Sequence, residues 1–457
     1  MQLRRIIYTL TFVCLALSHK LHAQTSTFKV TKLKNGLDIV AMESNKVPLV
    51  TIVLAVKAGA MTETPDINGL THLWEHMFFK GNKALPNQEA FKQRVRELGI
   101  IYNGDTSSEK VRYYFTLPSA WLEEGLKFMA DAITSPLLEK EELKKERKVV
   151  IDEYDRNASQ PGFRLYHARR NLLYGPLSYR RNPLGTRDNI LNTNRAQLLR
   201  IKKEVFVPKN SAILVGGDFD PTKLNQLVKK YFSDWKNPTN WKLPSHPQWP
   251  NFPQSQELVV THPQAQNVIL AMTYNGPRAK EDIKATFAAD MLITLLNQRS
   301  GKFYRKYMDS GLTLGASLGY HTQAQAGELH VSAQVKAENA KRVKKMLLKE
   351  PMQWLKKDYF SDKEIENAKR SLLVNRKYEI NKPSEYVKNL AFWWAITGLD
   401  YYQNYLPNLQ KVSRKDIQDF VKKYFQDKSV ITSYFLSPDE AKKLDLKDNS
   451  KKFMNKS

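Results

Sequence analysis

Cysteine is almost missing from this chain of 457 residues: Cys14 is the only one, and it lies in the N-terminal segment. Beyond it there can be no cysteine nucleophile, thiolate zinc site or iron–sulfur cluster. A chain without thiols suits an oxidising compartment, where no disulfide can form wrongly. Long apolar runs are missing too. Ile6 to Leu17 is apolar but too short to span a bilayer comfortably, and no other segment is long and apolar enough. With Arg4 and Arg5 before it and Leu21-His22-Ala23 after it, this stretch reads as a signal peptide over residues 1–23. An uncleaved anchor is the alternative. The signal has a bacterial style, which predicts a periplasmic or secreted protein with no transmembrane span in its mature chain. Acidic residues are in deficit, 46 against 72 Lys and Arg, for a net charge of +26. Arg4, Arg5 and Lys20 account for three of these charges, leaving +23. The lysines are scattered, with no glycine-rich basic tail or aromatic-basic motif. The charge therefore reads as a soluble surface rather than a specific nucleic-acid site. Attraction to anionic lipid or acidic peptides is the sharper alternative.

What is present centres on His72-Leu73-Trp74-Glu75-His76. On a helix, His72 and His76 stand at i and i+4 and project from one face. Two imidazoles there can hold one divalent cation, and zinc is the usual partner of histidine-rich sites. Glu75 stands beside them, within reach of a proton on a water at the metal. These are the parts needed for metal-assisted hydrolysis of a peptide bond. A catalytic zinc needs a third protein ligand. The run Glu139 to Glu153 has good helix formers and no Gly or Pro. Glu146 and Glu153 lie two turns apart on one face. Glu153 could complete the site, with Glu146 behind it orienting a ligand. The same run also reads as an ordinary charged surface helix.

The order His-x-x-Glu-His is the inverted zinc-peptidase motif. Its flanks, Asn68-Gly69-Leu70-Thr71 and Met77-Phe78-Phe79-Lys80-Gly81-Asn82, resemble the pitrilysin/insulinase family. So do Tyr102-Asn103-Gly104-Asp105-Thr106-Ser107, Glu146-Arg147-Lys148-Val149-Val150 with Glu153, and Val215-Gly216-Gly217-Asp218-Phe219. The likeness covers nearly the whole chain after the signal. It implies that His72, His76 and Glu153 are ligands of one zinc ion per chain, that Glu75 is the general base, and that Glu146 is an outer carboxylate. It also implies a peptide substrate lying extended against the strand at Asn103 and Gly104, although Asn-Gly alone would read as a turn.

The chain divides at Lys236–Gln256, which holds Pro238, Pro244, Pro247, Pro250 and Pro253 and has no helical or strand period. This places a catalytic domain at 24–235, a Pro-rich linker at 236–256 and a homologous domain at 257–457. The halves repeat one another. Each has an apolar run (Leu49–Val56, Asn267–Met272), a helix, a strand pair, long helices, and a closing strand (Ala212–Val215, Val430–Phe435). The fold class expected is α+β: two α/β-sandwich halves, each a mostly antiparallel sheet with helices on it, forming a clam-like chamber. The second half has Ile293-Thr294-Leu295-Leu296-Asn297 near the motif position, and Lys369 and Arg376 in place of the two glutamates. It should bind no metal.

One departure concerns the second half. Larger family members hold the substrate carbonyl with an Arg and a Tyr. Arg305 matches the first, but Leu312 stands where the tyrosine is expected, with Tyr307 or Tyr320 as substitutes. Full-length members hold four such halves. A homodimer, or a heterodimer with a zinc-less homologous chain, would restore that count. His167, His246, His262, His321 and His330 have no ligand spacing. The resulting expectation is a secreted or periplasmic zinc metalloendopeptidase for short extended peptides. The competing reading is a non-catalytic peptide-binding or assembly subunit of a two-chain peptidase.

Overall fold

In the computed structural model, residues 28–242 and 254–454 are described. The signal segment with Cys14, the middle of the Pro-rich stretch and His246 lie outside them. Two sheets carry the fold. The first orders β1 (Lys29–Lys32), β2 (Asp38–Glu43), β6 (Ser211–Gly217), β3 (Leu49–Val56), β5 (Val111–Pro118) and β4 (Ile101–Thr106). The second orders β7 (Gln256–Thr261), β11 (Ile431–Leu436), β8 (Val268–Gly276), β10 (Gly327–Val335) and β9 (Gly315–His321). Apart from β1, the sheets share one topology. In each, the last strand in sequence pairs in parallel with the strand that opens the shared pattern, and every other pair is antiparallel. The halves are therefore repeats in space as well as in sequence, and the α+β class holds.

The central strands are apolar on both faces because both faces are covered. Along β3, Val50, Ile52, Leu54 and Val56 point into the first core, while Val53 and Ala55 point the other way. The first set packs under helix α1 (Leu70–Phe78) and the helix Leu122–Thr134, through Leu73, Met77, Leu126 and Met129. Helix α2 (Lys140–Ala158) packs against α1 and brings the glutamates to it.

The outer faces are covered by exchange between the halves. Helix α3 (Phe163–Tyr174), from the first half, packs Ala168, Leu173 and Tyr174 on Leu258, Val260, Ile431 and Phe435 of the second sheet. In the second half, helix α4 (Ile283–Leu296) packs against helix α5 (Asp362–Ile380), as α1 does against α2. Helix α6 (Pro383–Ile396) then crosses over. Its Tyr386, Val387, Leu390, Ala391 and Trp394 cover Val40, Met42, Val53, Ala55, Ala212 and Leu214 of the first sheet. Polar ties border this packing. Trp394 Nε1 donates to Asp38 at 2.9 Å, the Thr51 and Ser384 hydroxyls meet at 2.7 Å, and Arg112 donates to the Lys388 carbonyl at 2.7 Å. On the other side the Glu109 carboxylate accepts the Ala324 N–H at 3.0 Å and the Tyr179 hydroxyl, and Arg169 pairs with Glu328 at 3.1 Å.

Candidate metal centre

Helix α1 buries all of its residues except His76, which is partly open. The motif thus sits on the inner face of a core helix, where three polar side chains would be costly without a shared purpose. His72 Nε2 and His76 Nε2 lie 3.6 and 3.5 Å from Glu153 Oε2. Among the described residues this is the one cluster of histidine, cysteine, aspartate or glutamate whose ligand atoms all fall within 4.8 Å of each other. The rings meet edge to face with centroids 4.6 Å apart. Glu146 Oε1 accepts from His76 Nδ1 at 2.7 Å, which points the Nε2 edge of the ring toward Glu153. The other oxygen of Glu146 pairs with Lys80 Nζ at 2.5 Å.

The electrostatics agree with one shared cation. Burial, then the neighbouring His76, pushes His72 down to about 4. Burial works against the His76 cation as well, but Glu146 and Glu153 outweigh it and raise His76 to about 9. Burial pulls Glu146 upward, yet His76 and Lys80 hold it below the usual carboxylate range. Glu153 is held low chiefly by its bond to His76. Two imidazole nitrogens and a carboxylate oxygen that converge on one point are a donor set that fits zinc.

Glu75 lies on the same turn and is 7% exposed. Its Oε2 accepts from the Thr106 hydroxyl at 2.7 Å. Burial is the main reason its carboxyl is pushed up to about 7. Thr106 belongs to β4, an edge strand whose outer side is open. Asn103 and Gly104 sit mid-strand, paired with Tyr114 and Tyr113, and do not form a turn. The absence of a side chain on Gly104 has a physical reason, because a Cβ there would lie 2.5 Å from Glu75 Oε1.

These residues line one cleft of about 840 Å³. Its walls include Phe79 and Tyr102 on one side, and Phe163, Tyr166, His167 and Asn182–Leu184 on the other. Every lining residue comes from the first half. Arg305 does not join them: it is exposed in the second half, at the start of a π-helical turn over Arg305–Asp309. Tyr307 is buried and donates to Glu350 at 2.8 Å, Tyr320 donates to the Pro277 carbonyl at 2.9 Å, and Leu312 packs against the second core. At the counterpart of the candidate site, Lys369 pairs with Glu366, and Arg376 pairs with Glu379 and stacks on Tyr402. Sequence reasoning missed Thr106 and Lys80. Lys80 stands at i+4 from His76, a spacing that could have signalled it.

A two-half α/β chain with this cluster, beside an open-edged strand, has the architecture of an inverted-motif metallopeptidase. The family models agree. The one described as Insulinase (Peptidase family M16) matches residues 39–180, and the Peptidase M16 inactive domain matches residues 192–372. The chain belongs to this pitrilysin/insulinase family. It is 27% identical over 456 residues to the zinc protease PqqE of Helicobacter pylori, covering 95% of this chain and 99% of that one. It is 24% identical over 402 residues to the uncharacterized zinc protease YmxG of Bacillus subtilis, covering 86% and 95%. Among solved structures, a Helicobacter pylori protease superposes with a TM-score of 0.82 at 23% identity, covering 90% of this chain and all of that one. The periplasmic protease PqqL of Escherichia coli superposes at 0.78 and 19% identity, the match covering 94% of this chain and 50% of PqqL.

Proposed function

We propose that this chain is a zinc metalloendopeptidase acting on short, extended peptides. The observation that carries the proposal is the convergence of three ligand atoms and the Glu75 carboxylate on one cleft beside the free edge of β4. His72, His76 and Glu153 would hold the zinc. When bound, zinc lowers the pKa of water and polarises a carbonyl. Glu146 fixes the ring of His76 and Lys80 fixes Glu146. Glu75, steadied by Thr106, takes the proton of the attacking water and passes it to the departing amine. The backbone of β4 at Asn103 and Gly104 pairs with the substrate as an added strand, so binding depends little on side chains.

Arg305 would act only through a second chain, since it stands outside the cleft. That supports a dimer, with a second copy or a zinc-less sister, in which the partner closes the open side. The match to about half of PqqL fits such a count. A monomer by light scattering under conditions of peptide cleavage would exclude it. Residues 1–23 are proposed as the signal that delivers the protein to the periplasm or exterior. Among the described residues no helix is long and apolar enough to cross a membrane.

The test is cleavage of a mixed library of unstructured peptides by wild type and Glu75→Gln, with zinc counted in both. The expected result is one zinc in each and cleavage by the wild type only. The loss should be about 10²–10⁴-fold, the usual worth of a general base. Zinc in both with cleavage by neither points to a binding subunit. No zinc in either refutes the site.

A further inference from the structure

Helix α1 begins without a cap of its own. Gly69 flanks it in the left-handed region at φ 98°, and its first turn holds no acidic residue. Two of the free N–H groups of that end, those of Gly69 and Thr71, are taken by Glu63, a residue from outside the helix that is 3% exposed. Glu63 Oε2 accepts from the Gly69 N–H and from Asn68 Nδ2, both at 2.8 Å. Glu63 Oε1 accepts from the Thr71 N–H at 2.8 Å and the Thr71 hydroxyl at 2.7 Å. Thr71 directly precedes His72. Four donors and one carboxylate therefore set where the histidine-bearing turn starts, and the helix dipole favours negative charge at that end.

Asn68 and the Glu63 backbone carry the link on to the wall of the cleft. Asn68 Nδ2 also donates to the Asn182 carbonyl at 3.0 Å, and the Arg181 guanidinium donates to the Glu63 carbonyl. Behind them Gly69 and Gly185 are packed so closely that a Cβ on Gly185 would meet Gly69 Cα at 2.6 Å. Asn182, Pro183 and Leu184 line the cleft.

We infer that Glu63 is a positioning residue: it sets His72 and the 182–184 wall in register with each other. The inference rests on the zinc-peptidase reading above. Glu63 touches no ligand atom, so it acts through the place of the helix. An amide at this position puts its NH₂ against a backbone N–H in either orientation, that of Gly69 or that of Thr71, donor against donor. The turn must then shift, or its donors go unpaired.

The experiment compares Glu63→Gln with Val331→Ala, a change in the second core at a fully buried residue of β10. Zinc Kd is measured by competition with a chelator, alongside Tm and the KM and kcat for a cleaved peptide. Glu63→Gln should weaken zinc binding by about tenfold, at the lower end for outer-shell partners, and raise KM. Val331→Ala should lower Tm while zinc binds as in the wild type. Wild-type zinc affinity in Glu63→Gln, whatever its Tm, would make Glu63 a helix cap only and overturn the inference. If Glu63→Gln fails to fold, Asn68→Ala carries the test, since it cuts the link to Asn182 and leaves three bonds to Glu63. A raised KM with unchanged zinc Kd supports the inference, and an unchanged KM overturns it. A wild type that binds no zinc overturns the underlying reading as well, and that failure is visible before any variant is compared.

Discussion

Replacing Gly104 by alanine should abolish the proposed peptide cleavage while leaving zinc binding intact. The added Cβ would lie 2.5 Å from Glu75 Oε1 and 2.9 Å from Glu75 Cδ and Cγ. Ordinary contact begins near 3.4 Å, so the carboxylate must retreat by roughly 0.9 Å. It has little room, being 7% exposed and tied to Thr106 at 2.7 Å. A displacement near 1 Å in a catalytic group can cost about 10²-fold in rate, equivalent to about 2.7 kcal/mol of transition-state stabilisation. Zinc binding should persist because the three atoms nearest that Cβ all belong to Glu75, which is not one of the proposed ligands. The assay is single-turnover cleavage of a short peptide with zinc counted in the same sample. A variant with one zinc and a rate within threefold of wild type (roughly 0.6 kcal/mol) would refute this account of Gly104 and the placement of Glu75.

Three further outcomes follow from the geometry. Glu146→Gln should keep the fold but weaken zinc binding by about 10–100-fold, read by chelator competition, because the carboxylate shared by His76 and Lys80 is gone. His167 is held down to about 4 by burial and then by Arg170, against 6.5 for a free imidazole. The unfolded chain therefore binds a proton between about pH 6.5 and 4 that the folded chain refuses. Stability falls as pH drops through that window, by up to about 3 kcal/mol, and His167→Gln should remove that part of the slope in urea titrations at several pH values. Leu390→Ala, in the second half, should cost roughly 2–5 kcal/mol and raise amide exchange in β3 and β6 of the first half, which α6 covers. Unchanged exchange there would argue against the crossover packing.

The candidate metal cluster was visible in the sequence because its logic is local. His72 and His76 share a face by helical spacing alone, and Glu146 and Glu153 do so seven residues apart. The repeat was legible because each half runs through the same order of apolar strands and helices. What could not be read depends on registers between distant segments. Thr106 reaches Glu75 only because β4 lies beside α1, with its own position fixed by pairing to β5. Asn103-Gly104 carries a turn signal, yet it is held in a strand where the glycine leaves space for Glu75. Arg305 is present as the family pattern suggests, but where it stands relative to the cleft is a matter of how whole halves pack. Glu63 gives no sequence signal, since a carboxylate outside a helix is not a recognised cap.

The exchange of helices explains why a half without the candidate cluster stays attached to the one that carries it. Strands β2, β3 and β6 place Val40, Met42, Val53, Ala55, Ala212 and Leu214 on the face turned away from α1. Without α6 that face would be a contiguous apolar patch of the kind that drives association. The debt runs both ways, because α3 covers Leu258, Val260, Ile431 and Phe435 of the second sheet. Helix α3 also carries Phe163, Tyr166 and His167, which wall the cleft. One helix thus has a face on the second sheet and a face on the candidate site. Any loosening of the second sheet must move that wall, even though no second-half residue lines the cleft. The second half therefore bears on the candidate site through α3, and a first half cut free of it would lose both its outer cover and the support of its own cleft wall.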